Sequence, residues 1–175
     1  MDVSRTNLLH KPSKEQAEII TAALEGKNLI CDSTAGSGKT STILHIAVSF
    51  SQQFENKKIL QITYNTRLKE EVRSKVKQLN LLNIDVHSYH ALNLKYYGGH
   101  LDNDIINTVN FNKPLKKHDH FDLIIVDETQ DMTPVYYSLL QKYIEDSISY
   151  IGGAQRCFWE LFFLSIPLRE DQYSG

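Results

Sequence analysis

Apolar and polar positions fall in blocks along the chain, and the period changes from one block to the next. Residues 13–24 have helical spacing, with Gly26 placed just beyond as a stop. Asn28-Leu29-Ile30-Cys31 is a short apolar run that leads into a glycine-rich turn, the pattern of a buried strand. Residues 40–50 put Ile43, Leu44, Ala47 and Phe50 on one helical face, and residues 58–64 predict a second strand. The clearest helix is 66–78, where Leu68, Val72, Val76 and Leu79 recur at helical spacing while Lys69, Arg73 and Lys77 line another face. Residues 84–86 predict a third strand and 89–97 a further helix; residues 98–120 are polar and read as an excursion from the core. Residues 121–127 are almost wholly apolar, as a central parallel strand should be. A helix over 134–143 and a last strand over 148–151 complete the series.

Strand–helix alternation of this kind predicts an α/β fold with a mostly parallel sheet flanked by helices. We expect one domain over residues 1–157, with the short excursion at about 98–120, followed by an atypical hydrophobic and polar tail over 158–175. Composition adds bounds. A chain of 175 residues suits a single domain, and 41% hydrophobic with 23% charged residues is ordinary for a globular one. Apolar runs fall short of the roughly 20 residues that span a bilayer, and the polar N-terminus is unlike a secretory signal. The two cysteines, Cys31 and Cys157, suggest no disulfide framework. An intracellular location, in cytoplasm or nucleus, is therefore expected. The net charge of −2 exerts no global pull on nucleic acid, although a local basic stripe is enough for a motor.

Chemistry concentrates in two places. Ala35-Gly36-Ser37-Gly38-Lys39-Thr40 follows a predicted strand and opens a predicted helix. Glycines let successive backbone N–H groups turn toward phosphate oxygens, and the helix N-terminus adds its positive dipole end. Lys39 is then expected on the β- and γ-phosphates and the Thr40 hydroxyl on Mg²⁺, with ATP as the nucleotide. Ser33 stands where the common pattern has its first glycine. The second place is Asp127-Glu128-Thr129-Gln130-Asp131, at the end of the most hydrophobic strand. A carboxylate at such a tip beside a phosphate loop suits Mg²⁺, which assigns Asp127 to the metal and Glu128 to the base that deprotonates the attacking water. Gln130 is placed to sense the γ-phosphate. Alone, the same residues also read as a solvated turn capping the next helix at Asp131 or Thr133.

With these motifs in hand, the chain resembles the N-terminal, RecA-like ATP-binding domain of the UvrD/Rep-type superfamily 1 DNA helicases. Glu15-Gln16 with Ile19-Ile20 looks like the family's glutamine motif, which implies that Gln16 binds the adenine edge. Residues 35–40 match motif I, and Asp127–Asp131 gives the Asp-Glu-x-Gln-Asp form of motif II. Residues 62–71, Ile-Thr-Tyr-Asn-Thr-Arg-Leu-Lys-Glu-Glu, are similar to motif Ia, and Ser88-Tyr89-His90-Ala91-Leu92 resembles the short motif after it. That implies single-stranded DNA contacts at Thr63, Tyr64, Asn65, Arg67 and His90. The form of motif Ia is closest to the F-box DNA helicase and viral branches. From the residues alone, Tyr64 reads first as core and Lys69, Arg73 and Lys77 as a solvated face; the resemblance brings a stacking face and a phosphate track level with those readings. His90 likewise reads as a packed histidine or a DNA contact.

The chain departs from the family pattern in three ways. About thirty residues separate the His90 motif from motif II, where the family carries a large inserted domain. Gly152-Gly153-Ala154-Gln155 looks like an altered motif III, with Gly153 where an aspartate belongs; Gln155 is the candidate phosphate sensor. The second RecA-like domain, whose arginines stabilise the transferring phosphoryl group, is missing from the series, so a partner chain is expected to supply it. Two other readings compete with a truncated motor module. One is a non-catalytic, nucleotide-dependent binding module or helicase remnant. The other, a P-loop kinase of small substrates, lacks an arginine-bearing lid and a substrate region.

Overall fold

Period-2 alternation along the strands divides the core into two halves, one on each face of a parallel sheet. The computed structural model describes residues 9–32, 37–54, 56–64, 66–99, 101–150 and 161–165. Within them the order is α1 (Lys14–Leu24), β1 (Ile30–Asp32), α2 (Lys39–Gln53), β2 (Ile59–Thr63), α3 (Thr66–Gln78), β3 (Ile84–Ser88), α4 (Tyr89–Tyr97), α5 (Asp102–Asn110), β4 (Leu123–Val126), a 3₁₀ turn (Thr129–Asp131), α6 (Pro134–Tyr150) and β5 (Leu161–Ser165). The strands form one sheet in the order β1-β5-β4-β2-β3, and every pairing is parallel. Ile59, Leu123 and Ile125 point to one side and pack with Ile43, Ala47 and Val72 of α2 and α3. Leu60, Ile62, Ile124 and Val126 point to the other and pack with Leu92, Tyr96, Leu139 and Tyr143 of α4 and α6. This is the three-layer α/β arrangement expected from the strand–helix alternation.

Local signals explain most boundaries. Ser13 caps α1 in a reciprocal box with Gln16: the Ser13 hydroxyl accepts the Gln16 backbone N–H at 3.2 Å, and the Gln16 side-chain Oε1 accepts the Ser13 N–H at 2.9 Å. Gly98 ends α4 at φ +86°, a conformation that side chains disfavour. On α3, Arg73 is engaged with the sheet as well as lining the helix face. Its guanidinium donates to the Val86 carbonyl at 3.0 and 2.7 Å, tying helix to strand.

Two expectations are corrected. Residues 148–150 of the expected last strand are helical, because α6 runs on to Tyr150; Ile151 lies outside the described residues. The strand is Leu161–Ser165, within the segment read as a tail, and it lies between β1 and β4. An uninterrupted apolar run carries neither a period of 2 nor of 3.6, so pattern alone cannot distinguish a central strand from a greasy end. The excursion at 98–120 also contains more structure than its polarity implies. It holds α5, whose Ile105 and Thr108 are fully buried beside α6. No helix among the described residues is long and apolar enough to cross a membrane.

Ile62 is fully buried and Leu82 is 90% exposed. Ile62→Ala is expected to lower unfolding free energy by about 2–5 kcal/mol, whereas Leu82→Ala stays within about 0.5 kcal/mol; urea midpoints decide. His87 provides a pH test. Its ring is buried in β3, with Nε2 3.5 Å from the Lys95 ammonium, and burial first and Lys95 second push its pKa down to about 4. The unfolded chain takes up this proton near pH 6.5, so the contribution of His87 is complete above that pH and lost as pH falls toward 4. His87→Gln should therefore move acid unfolding to lower pH.

Candidate functional site

Because all strands run parallel, their carboxyl ends share one edge, and the loops leaving β1, β4, β2 and β3 gather there. The glycine loop follows β1. Its first residues, Ala35 and Gly36, lie outside the described residues, as do Asn65 and Gln155. Ser37 is exposed, and Gly38 is the N-cap of α2 at φ +88° and ψ 24°. A side chain there would be strained, and a Cβ would stand 2.8 Å from Gln16 Nε2. Lys39 and Thr40 are the first two residues of α2, partly buried at its positive end.

The acidic loop faces this helix. Lys39 Nζ lies 3.2 Å from Glu128 Oε2, joining residues 89 apart in sequence, and the lysine side chain is 8% exposed. Asp127 continues β4 by donating its N–H to Ile62 at 2.9 Å, which fixes it at the strand tip. Its carboxyl is buried, and its pKa rises to about 6 through desolvation first and the neighbouring Glu128 second. Lys39 and the Glu128 N–H, 3.0 Å from Oδ1, act in the opposite direction. Glu128 itself sits in the left-handed region at φ 56°, and the 3₁₀ turn that follows carries Gln130 at its centre. A buried carboxylate, a hydroxyl-bearing helix start and a lysine suit a phosphate-bound divalent cation. Among the described residues no cluster of three or more His, Cys, Asp or Glu forms a separate metal site.

Gln16 meets the same helix start from outside: its Nε2 donates to the Gly38 carbonyl at 3.4 Å while its other amide atom caps α1. The expected adenine contact therefore stands beside the glycine loop. A separate cleft of about 260 Å³, between Leu9-His10, α2 and the last turn of α3, contains none of these groups.

Further along the edge the expected nucleic-acid residues divide. Thr63 is fully buried, so its side chain is not on a binding face. Tyr64 is about one-third exposed, Arg67 is exposed on the first turn of α3, and His90 is partly exposed at the start of α4. Sequence reasoning missed Asp102 and Tyr136. His90 Nε2 donates to Asp102 Oδ1 at 2.8 Å, and the Tyr136 hydroxyl donates to the same oxygen at 3.2 Å. Tyr136 also lies parallel to Tyr89, with ring centroids 4.5 Å apart. A tyrosine in a helix's first turn gives no signal in a pattern of apolar spacings.

A family model described as an AAA domain matches residues 16–156. No curated protein matches the chain. The left-handed Gly38 supplies a direct test. Gly38→Ala should weaken binding of a fluorescent ATP analogue and cost about 1–2 kcal/mol of stability from backbone strain. Adding Gln16→Ala opens the space without relieving φ, so it should restore little; full recovery would show that crowding, not conformation, demands the glycine.

Proposed function

The chain belongs to the AAA domain family of P-loop ATPases, and from that membership we propose that it is the ATP-hydrolysing motor module of a UvrD-like superfamily 1 DNA helicase, working with a second RecA-like domain. The observation that carries the reading is the approach of Lys39 to Glu128 beside the buried Asp127. A triphosphate entering at the start of α2 replaces Glu128 as the partner of the Lys39 ammonium. Glu128 is then released to act on water. Water oxygen forms the new bond to the γ-phosphorus, the bond to the β,γ-bridging oxygen breaks, and Glu128 takes the proton and later returns it to solvent. Asp127 and Thr40 would hold Mg²⁺, which would neutralise charge on the phosphate oxygens. Arginines from the second domain, in a longer chain or a partner, complete the charge stabilisation; such a residue is worth roughly 10³–10⁵ in rate.

Tyr64, Arg67 and His90 stand at the carboxyl edge that also bears the nucleotide loops, which favours single-stranded DNA as the polymer that drives turnover. Stacking on an exposed ring contributes about 1–3 kcal/mol per base and tolerates any sequence. A non-catalytic nucleotide-dependent module is the second reading, favoured by Gly153 at the aspartate position of motif III.

ATP hydrolysis with and without single-stranded DNA separates the two. The motor reading expects slow turnover by this chain that DNA stimulates, loss of nucleotide binding in Lys39→Ala, and about 10²–10⁴-fold slower turnover with binding retained in Glu128→Gln. Nucleotide binding with no turnover under either condition would instead support the binding module. Duplex unwinding by this chain alone would overturn the need for a second domain.

A further inference from the structure

Four rings from three elements meet at the carboxyl edge of the sheet, and one ring touches all the others. Tyr64 follows β2, Tyr89 and His90 open α4, and Tyr136 lies in the first turn of α6. Tyr136 is parallel to Tyr89 within 3° at 4.5 Å. It meets Tyr64 edge-on at 6.3 Å and His90 edge-on at 5.8 Å. Its hydroxyl and the His90 ring are both tied to Asp102 Oδ1, at the start of α5.

We propose that Tyr136 is the positioning residue of this face, holding Tyr64 and His90 as a preformed platform on which bases of single-stranded DNA stack. The proposal rests on the nucleic-acid reading above and names the residue on which that reading depends. Tyr89 is buried beneath Tyr136 and cannot itself present a face, so its part is to support. A lone exposed tyrosine has rotamer freedom to lose when a base stacks on it; a ring already braced by a neighbour loses less. The Asp102 carboxylate belongs to the same cluster and is mostly exposed. Its charge repels phosphate, so the strand is favoured with its bases, not its backbone, toward the rings. Duplex DNA, whose bases are already stacked on one another, has no free base face to offer. The face is therefore selective for single strands without reading sequence.

The test is fluorescence anisotropy of a labelled oligothymidine at fixed low salt, with the full chain and with Tyr136 variants, alongside binding of a fluorescent ATP analogue. Tyr136→Leu should bind the oligonucleotide about 10-fold more weakly, the scale of one base stack that the unbraced Tyr64 and His90 no longer hold, while ATP-analogue affinity is unchanged. Tyr136→Phe keeps the ring and should return to within about 3-fold of the unaltered chain. Leucine binding as tightly as tyrosine would overturn the proposal and leave the DNA reading standing. Failure of the unaltered chain to bind the oligonucleotide would overturn both. Should Tyr136→Leu lose the ATP analogue as well, Tyr136→Trp carries the test: a larger ring must hold DNA affinity, and a 10-fold loss there, with nucleotide binding intact, counts against the platform.

Discussion

A sheet whose strands all run one way must be covered on both faces, and it delivers every strand's carboxyl end to a single edge. Both consequences shape this molecule. Coverage explains why β2 and β4 are apolar on both sides, with Ile59 and Leu123 facing one helical layer and Leu60 and Ile124 the other. The shared edge explains why the glycine loop, the acidic turn and the aromatic rings lie along one side of the sheet although they are spread from Gly38 to Tyr136. β5 sits between β1 and β4, which sets the two nucleotide loops two strand spacings apart, roughly 10 Å. Open α/β sheets bind ligands outside the carboxyl ends of their strands, and the space between these two loops lies on that side. Lys39 spans it to reach Glu128.

The electrostatics of this space leave it receptive to a phosphate-bound cation. Asp127 is buried next to another carboxylate, and both desolvation and repulsion favour its protonated form. A cation reverses both effects. Lys39 supplies a single positive charge for two neighbouring acids, and the same lysine is the group that phosphates attract. Glu128 is held in a left-handed conformation at the end of the strand, which turns its side chain out of the ladder and toward α2. Fixed dipoles and charges arranged in this way need little rearrangement when substrate arrives, and that economy is the main contribution a protein makes to phosphoryl transfer.

The segment between the His90 motif and the acidic strand supports the second half of the edge. Ile105 and Thr108 anchor α5 against α6, and the first residue of α5, Asp102, joins His90 to Tyr136. A short polar stretch thereby acts as a brace between two helix starts. It closes the outer surface of the second core half, where Tyr96 and Tyr143 pack at 4.7 Å.

Elements governed by local physics were legible in the sequence. The helix 66–78 was predicted with the observed bounds, because amphipathic spacing and the preceding strand both mark it. Gly38, Lys39, Asp127 and Glu128 were identifiable because a phosphate loop and an acidic strand tip demand particular residue types at fixed spacing. Contacts between distant segments were not legible. That Leu161–Ser165, not residues 148–151, fills the gap between β1 and β4 depends on pairing with strands more than thirty residues away in sequence, and an apolar run states only that it is to be buried. Thr63 and Tyr64 are neighbours with similar claims on a ligand; the twist and cover of the sheet bury the first and expose the second. Arg73 reads as a free cation along its helix and becomes a tie to Val86 only once β3 lies beside it. Residue type and spacing thus determined the chemistry available to this chain. Which of those groups face one another was decided by tertiary packing, since period and propensity describe a segment's own surface and not the segment that covers it.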